Sequence, residues 1–233
     1  MSYIKLSNGK KVYGEGDSAV YAMDGMDFEM EKGELCVIIG ASGSGKTTLL
    51  NILGGLDTMN SGELIVDGKK VSDMNAKELA KYRRDCVSFV FQFYNLIPDL
   101  TVIENVRIVS DISANSLDEK EVMNAVGIEK LRDRFPNEIS GGQQQRCAIA
   151  RAVIKNPSIL LCDELTGALD SKTSKEVLKL IQKINNEFGS TVIIITHNQE
   201  ICRLADRIVE VKDGVVIKNY LNDNKQNIAD VEI

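Results

Sequence analysis

A chain of 233 residues, 43% apolar and 27% charged, holds enough material for a full core, as one domain or as a domain with an inserted subdomain. Its net charge of −6 and its one histidine argue against a broad basic grip on nucleic acid and against a zinc site. No apolar run approaches the roughly 20 residues that cross a bilayer, and the first six residues do not begin a secretory signal, so a soluble protein is expected whose dealings with a membrane go through a partner.

Cys36, Cys86, Cys147, Cys162 and Cys202 are odd in number and form no C-x-x-C pair; four lie in apolar runs. That usage suits buried, reduced thiols in a cytosolic protein.

Two runs of strand character, residues 3–6 and 20–30, flank a turn at Gly14, Glu15, Gly16, Asp17 and Ser18. Tyr13 stands just before that turn, where an aromatic ring either packs or stacks on a purine. The apolar run 35–39 then leads into Gly40, Ala41, Ser42, Gly43, Ser44, Gly45, Lys46 and Thr47, and residues 48–53 continue as a helix. Strand, glycine-rich loop and helix form the context in which G-x-x-x-x-G-K-[ST] is a phosphate site rather than an ordinary turn. Bare amides at Gly40, Gly43 and Gly45 can curl around phosphate oxygens, and the helix behind them points its positive end at the same place. Lys46 reaches the β- and γ-phosphates and Thr47 offers a hydroxyl to magnesium. Ser42, Ser44 and Thr48 are counted with the same nucleotide-binding set.

Residues 61–69 read as a strand ending in an Asp67-Gly68 hairpin turn, 76–84 as a helix, and 87–91 as a buried strand stopping at Gln92. A glutamine at the carboxyl end of a parallel strand lies where open α/β sheets place ligand-binding groups, although it is also a common way to leave a strand. From Phe93 to about Asn156 the pattern becomes helical over 101–109, 118–126 and 142–155, with Pro98, Gly127 and Pro136 as breakers. This is a helical insertion. Within it Ser140, Gly141, Gly142 and Gln143 open a helix. Capping explains Ser140 but not the two glycines, which would bare amides to a phosphate at the helix's positive end. Two separate cradles in one compact chain suggest a nucleotide shared between two molecules.

Residues 159–162 are a buried strand followed by Asp163 and Glu164. A carboxylate there is placed to hold Mg²⁺, and its neighbour to accept a proton from water attacking the γ-phosphate; two acids after a strand are otherwise a routine turn. Asp170 on its own reads as a cap for the helix 171–188, which Gly189 ends. The strand 191–196 runs into His197, whose place beside Gln92 and Glu164 at neighbouring strand ends favours a γ-phosphate contact. A second Asp-Gly hairpin comes at Asp213-Gly214, and the polar tail from Asn222 is expected to be loose.

These residues, in this order, resemble the ATP-binding-cassette ATPases over nearly the whole chain, to about Ile217. Tyr13 matches the adenine-stacking loop, residues 40–47 Walker A, Gln92 the Q-loop, 140–143 the signature, 159–164 Walker B, 168–170 the D-loop and His197 the switch histidine. The stretches 11–16, 89–98 and 101–106 narrow the resemblance to the subgroup of macrolide-exporter, lipoprotein-release and antimicrobial-peptide-resistance ATPases. Ile139 replaces the usual leucine of the signature, Leu165 a common proline, Ala168 a frequent asparagine and Asn198 a frequent aspartate. None of these removes a group assigned to chemistry.

The resemblance implies an α/β fold: a P-loop NTPase core with a mostly parallel sheet and an N-terminal antiparallel β subdomain over 1–92 and 157–233, and an inserted α-helical subdomain over 93–156. It implies ATP with Mg²⁺ as cofactors. Asp163, Thr47 and Gln92 would arrange the metal, Glu164 would be the base, and Lys46 and His197 would steady the γ-phosphate. Tyr13, the Walker A residues, Ser140 to Gln143 and Asp170 would bind nucleotide. It further implies a head-to-tail homodimer sandwiching two ATPs, a permease with an extracytoplasmic domain as partner at the cytoplasmic face of the membrane, and no nucleic acid. A cell-division-type regulatory cassette shares the architecture and stands as the alternative. Cassettes of DNA repair and translation carry coiled coils, zinc modules or a second cassette, which this chain lacks.

Overall fold

A computed structural model describes residues 2–113 and 115–231, the side chains of Asp17 and Ala229 aside. Strands β1 (Ile4–Tyr13) and β2 (Val20–Met30) pair antiparallel, and β3 (Leu35–Ile39) leaves them to enter a second sheet. Helix α1 (Lys46–Leu53) is next, then β4 (Ser61–Val66) and the short β5 (Lys69–Lys70), which return to β1 and complete a four-stranded antiparallel sheet in the order β2-β1-β4-β5. Helix α2 (Ala76–Asp85) opens on an Asn75 capping box and leads into β6 (Val87–Val90).

Three helices come next: α3 (Val102–Ser110), α4 (Glu119–Val126) and α5 (Gly141–Val153). Each starts on an oxygen-bearing cap, Thr101, Asp118 and Ser140. The chain then alternates β7 (Ile159–Asp163), α6 (Ser171–Phe188) and β8 (Thr191–Thr196). A 3₁₀ segment (Gln199–Leu204) precedes the hairpin of β9 (Arg207–Lys212) and β10 (Val215–Leu221). The second sheet runs β10-β9-β3-β8-β7-β6, parallel throughout except for β10.

The continuous apolar runs of β3, β7 and β8 are explained by burial on both faces. The pleat sorts their side chains by parity. Leu35, Val37, Leu160, Cys162, Val192 and Ile194 join one core with helices α3 to α6. Cys36, Ile38, Ile159, Leu161, Ile193 and Ile195 join the other, with α1, α2 and the antiparallel sheet. The segment 93–156 therefore shares an apolar core with the parallel sheet instead of closing one of its own.

Three boundaries and one tail differ from the sequence pattern. Strand β6 ends two residues before Gln92, and Asp163 is the last residue of β7 rather than the first beyond it. Helix α5 begins at Gly141. The tail is docked, not loose: Asn222 Nδ2 donates to the carbonyls of Cys202 and Ala205, Lys225 pairs with Asp206 at 2.7 Å, and Val231 is fully buried against the helical core. Polar side chains that read as solvated instead satisfy carbonyls at the end of the 3₁₀ segment, which has no continuing helix to bond them. All five cysteines are free, four of them buried. Among the described residues no helix is long and apolar enough to cross a membrane.

Candidate functional site

Because β3, β8, β7 and β6 are adjacent and parallel, the loops leaving their carboxyl ends all emerge at one edge of the sheet. The glycine loop leaves β3, His197 comes directly after β8, Glu164 directly after β7, and Gln92 lies just beyond β6. Four distant stretches of sequence meet there for a topological reason.

The loop's shape demands its glycines at three places. A Cβ on Gly40 would collide with the carbonyl of Val211, and one on Gly45, at φ +102°, with the carbonyl of Ala22. Gly43 has open space around it, but its φ of +77° is one that only glycine adopts freely. Ser42 and Thr47 are exposed; Ser44 is 5% exposed, and its Oγ has no partner. Lys46 is buried, and its Nζ donates to the carbonyls of Gly40 at 2.8 Å and Ala41 at 2.7 Å. Burial lowers its pKa, opposed by the carboxylates of Glu164 and Asp163. An open cleft of about 690 Å³ runs along this loop past His197 to Tyr220 on β10.

Asp163 is half-buried; desolvation first, then the neighbouring Glu164, raise its pKa, with Lys46 opposing. Glu164 adopts φ +45°, a region that costs an ordinary side chain energy. Its amide donates to Ile195 at 3.0 Å, tying it to β8, and its carboxylate meets His197 Nδ1 at 3.0 Å. Gly167 leaves room beside this pair: a Cβ there would lie 3.1 Å from the Gln92 amide nitrogen and 3.5 Å from Glu164 Oε2. Lys46, Asp163, Glu164, Gln92 and His197 thus converge.

Asp163, the Thr47 hydroxyl and the Gln92 amide oxygen are hard oxygens that could hold a metal. Among the described residues no three His, Cys, Asp or Glu side chains surround a common point. Mg²⁺ keeps several waters and takes further oxygens from phosphates, so a half-buried carboxylate whose charge Lys46 offsets only in part fits a metal that arrives with a nucleotide.

At the other edge of the loop, the Tyr13 phenol donates to Asp57 at 2.7 Å, with Thr48 beside it. Nothing in the sequence marks Asp57, which lies 44 residues away.

Ser140, Gly141, Gly142, Gln143 and Asp170 are not brought to this cluster. Ser140 is exposed and its bonds are local: Oγ accepts from the Gln143 amide at 3.4 Å, and Gln143 Oε1 accepts from the Ser140 amide at 2.9 Å. The glycine pair has a packing cause that capping did not supply. A Cβ on Gly142 would collide with the Thr173 methyl of α6, and one on Gly141 would lie 2.9 Å from the Tyr94 hydroxyl. Asp170 caps α6, accepting from the Thr173 amide at 3.0 Å and its hydroxyl at 2.7 Å, and these bonds hold its carboxyl below the usual range. Arg151, unmarked by the sequence, donates to the carbonyls of Tyr94 at 2.9 Å and Asn95 at 2.6 Å, fixing the segment beyond Gln92 to α5. Leu165 and Ile139 sit in the helical core, and Asn198 caps the 3₁₀ segment.

A family model described as ABC transporter matches residues 23–167, well over half the chain. The chain belongs to that family. This ABC cassette is an ATPase, and it is 46% identical over 222 residues to the ABC transporter ATP-binding protein MJ0796 of Methanocaldococcus jannaschii, covering 91% of this chain and 94% of that one. It is 40% identical over 221 residues to the bacitracin export ATP-binding protein BceA of Halalkalibacterium halodurans, covering 93% and 87%. Against the macrolide export ATP-binding/permease protein MacB of Brucella abortus it is 42% identical over 93% of its own length, spanning only 34% of that longer protein. These relatives bear out the subgroup that the motifs resemble. Among solved structures the cassette resembles a dimeric post-hydrolysis state of MJ0796 bound to ADP and Pi, with a TM-score of 0.85 and 40% identity over 94% of this chain and 98% of that one.

Proposed function

We propose that this chain is the ATP-driven subunit of a membrane export or extraction complex, working as a head-to-tail homodimer that closes on two ATP molecules. One observation carries the reading: the hydrolytic groups converge at one sheet edge, while the bonds of Ser140 are to its own helix start and tie it to none of them. A second copy supplies what each half lacks, Ser140 and Gly142 of one protomer facing the glycine loop of its partner. The dimeric MJ0796 cassette and the export names of the relatives support it.

Lys46 exchanges the carbonyls of Gly40 and Ala41 for β- and γ-phosphate oxygens, which give its buried charge a counter-ion. Glu164 takes the proton of a water whose oxygen bonds to the γ-phosphorus as the bond to the β-bridging oxygen breaks. His197, with Nδ1 on that carboxylate, orients it and leaves Nε2 to face the γ-phosphate. Asp163, Thr47 and Gln92 would hold Mg²⁺, which would supply positive charge against the phosphates. Phe93, 73% exposed, and the groove of about 360 Å³ running from Gln92 to Pro136 and Gln144 form the seat for a permease with an extracytoplasmic domain, at the cytoplasmic face of the membrane.

Glu164→Gln is expected to lower phosphate release by about two to four powers of ten while ATP binding persists and sedimentation shows a dimer. Adding Ser140→Arg should return that variant to an ATP-binding monomer. A Glu164→Gln protein that binds ATP and stays monomeric would overturn the shared-site reading.

A further inference from the structure

We infer that Asp57 and Lys11 clamp the Tyr13 ring in the one orientation that receives the nucleotide base, which makes Asp57 a positioning residue for nucleotide affinity. The inference rests on the reading that Tyr13 stacks on the base.

The clamp closes from two sides. The Tyr13 hydroxyl donates to Asp57 Oδ2 at 2.7 Å. The other carboxylate oxygen accepts from Lys11 Nζ at 2.6 Å and from the Thr58 amide at 2.7 Å. Lys11 Nζ also donates to the Thr58 carbonyl at 2.7 Å and stands 5.0 Å from the centre of the Tyr13 ring, as a cation over a π-face. The ring remains 42% exposed, so a base finds it open to solvent and already held. Lys11 and Asp57 are only 13% and 28% exposed at their side chains, so the pair is less screened than a surface ion pair.

The loop that carries Asp57 is fastened independently of the ring. Asn60 Oδ1 accepts from the Val12 amide at 2.8 Å, the Asn60 amide donates to the Lys10 carbonyl at 2.8 Å, and the Leu56 amide donates to Asn51 of α1 at 2.8 Å. The ring is therefore referenced to the helix whose first residues are Lys46 and Thr47, and base and phosphate subsites are set as one unit. A tyrosine beside a glycine-rich turn would otherwise sample several rotamers, and a base would have to select one of them. Loss of the clamp should weaken nucleotide binding about three- to tenfold.

The test is fluorescence titration of the chain with methylanthraniloyl-ATP, thermal unfolding being followed in parallel. Asp57→Ala is expected to raise Kd by about three- to tenfold and Tyr13→Phe by a similar factor. Asp57→Asn, which keeps an oxygen for the phenol, should recover most of the loss. Tyr13→Ala should lose more, and adding Asp57→Ala to it should cost nothing further. Inorganic triphosphate, which has no base, should compete equally well in every variant. An unchanged Kd for Asp57→Ala and Tyr13→Phe beside a weakened Tyr13→Ala overturns the clamp alone, as does an equal Asp57→Ala loss with and without the tyrosine. An unchanged Kd for Tyr13→Ala overturns the stacking reading itself.

Discussion

Lys155 shows how burial writes a residue's chemistry. Its ammonium donates to the Arg83 carbonyl at 2.6 Å, and desolvation lowers its pKa from 10.5 to about 8 against the pull of nearby Cys86 and Asp85. Between those values the unfolded chain holds the proton and the native chain sheds it, so this group makes stability rise with pH from about 8 to 10.5. Replacing Lys155 with Met should remove that rise, and the gap between the melting curves of variant and parent should change across this window. A pH-independent gap would place the charge in water. At this scale the sequence was legible wherever chemistry needs a fixed spacing, as at Gly40, Lys46, Asp163 and Glu164. It was silent on Asp57, Arg151 and Lys155, whose partners lie tens of residues away and are chosen by folding.

Helix α5 carries two demands at the same pair of glycines. Bare amides at its start were readable from composition; the approach of α6 was not, because Thr173 lies 31 positions beyond Gly142. The demands separate experimentally. Gly142→Ala should cost about 1–3 kcal/mol through the crowded Thr173 methyl. Thr173→Ser in the same chain, keeping the hydroxyl that bonds Asp170, should restore the thermal midpoint. ATP-driven dimer formation should stay impaired in the double variant; its full return would assign the glycine to packing alone. The buried strands were the most legible elements, since a strand covered on both faces leaves an unbroken apolar run. The tail was the least, since its anchors are single residues, Asn222, Lys225 and Val231, set among polar neighbours.

Across the whole molecule, that tail fastens the segment leading away from His197. Deleting residues 222–233 would leave the Cys202 and Ala205 carbonyls uncapped and open the core beneath Val231. The thermal midpoint should fall by several degrees, and phosphate release should fall more than ATP affinity, because the role proposed for the histidine is at the γ-phosphate. Equal losses in both would mean a general loosening. The family and the order of its motifs were visible in the sequence, but the continuity of the segment 93–156 with the sheet core was not, because a helical pattern names an apolar face without naming what covers it. The alternation along β3 carries this further. Its sheet is a party wall between two tenants: a methylene added at Val37 crowds the tenant holding α3 to α6, and one added at Ile38, next door, crowds the tenant holding α1. Drift on the side proposed to meet a permease can therefore proceed while the masonry around the proposed triphosphate site stays as laid.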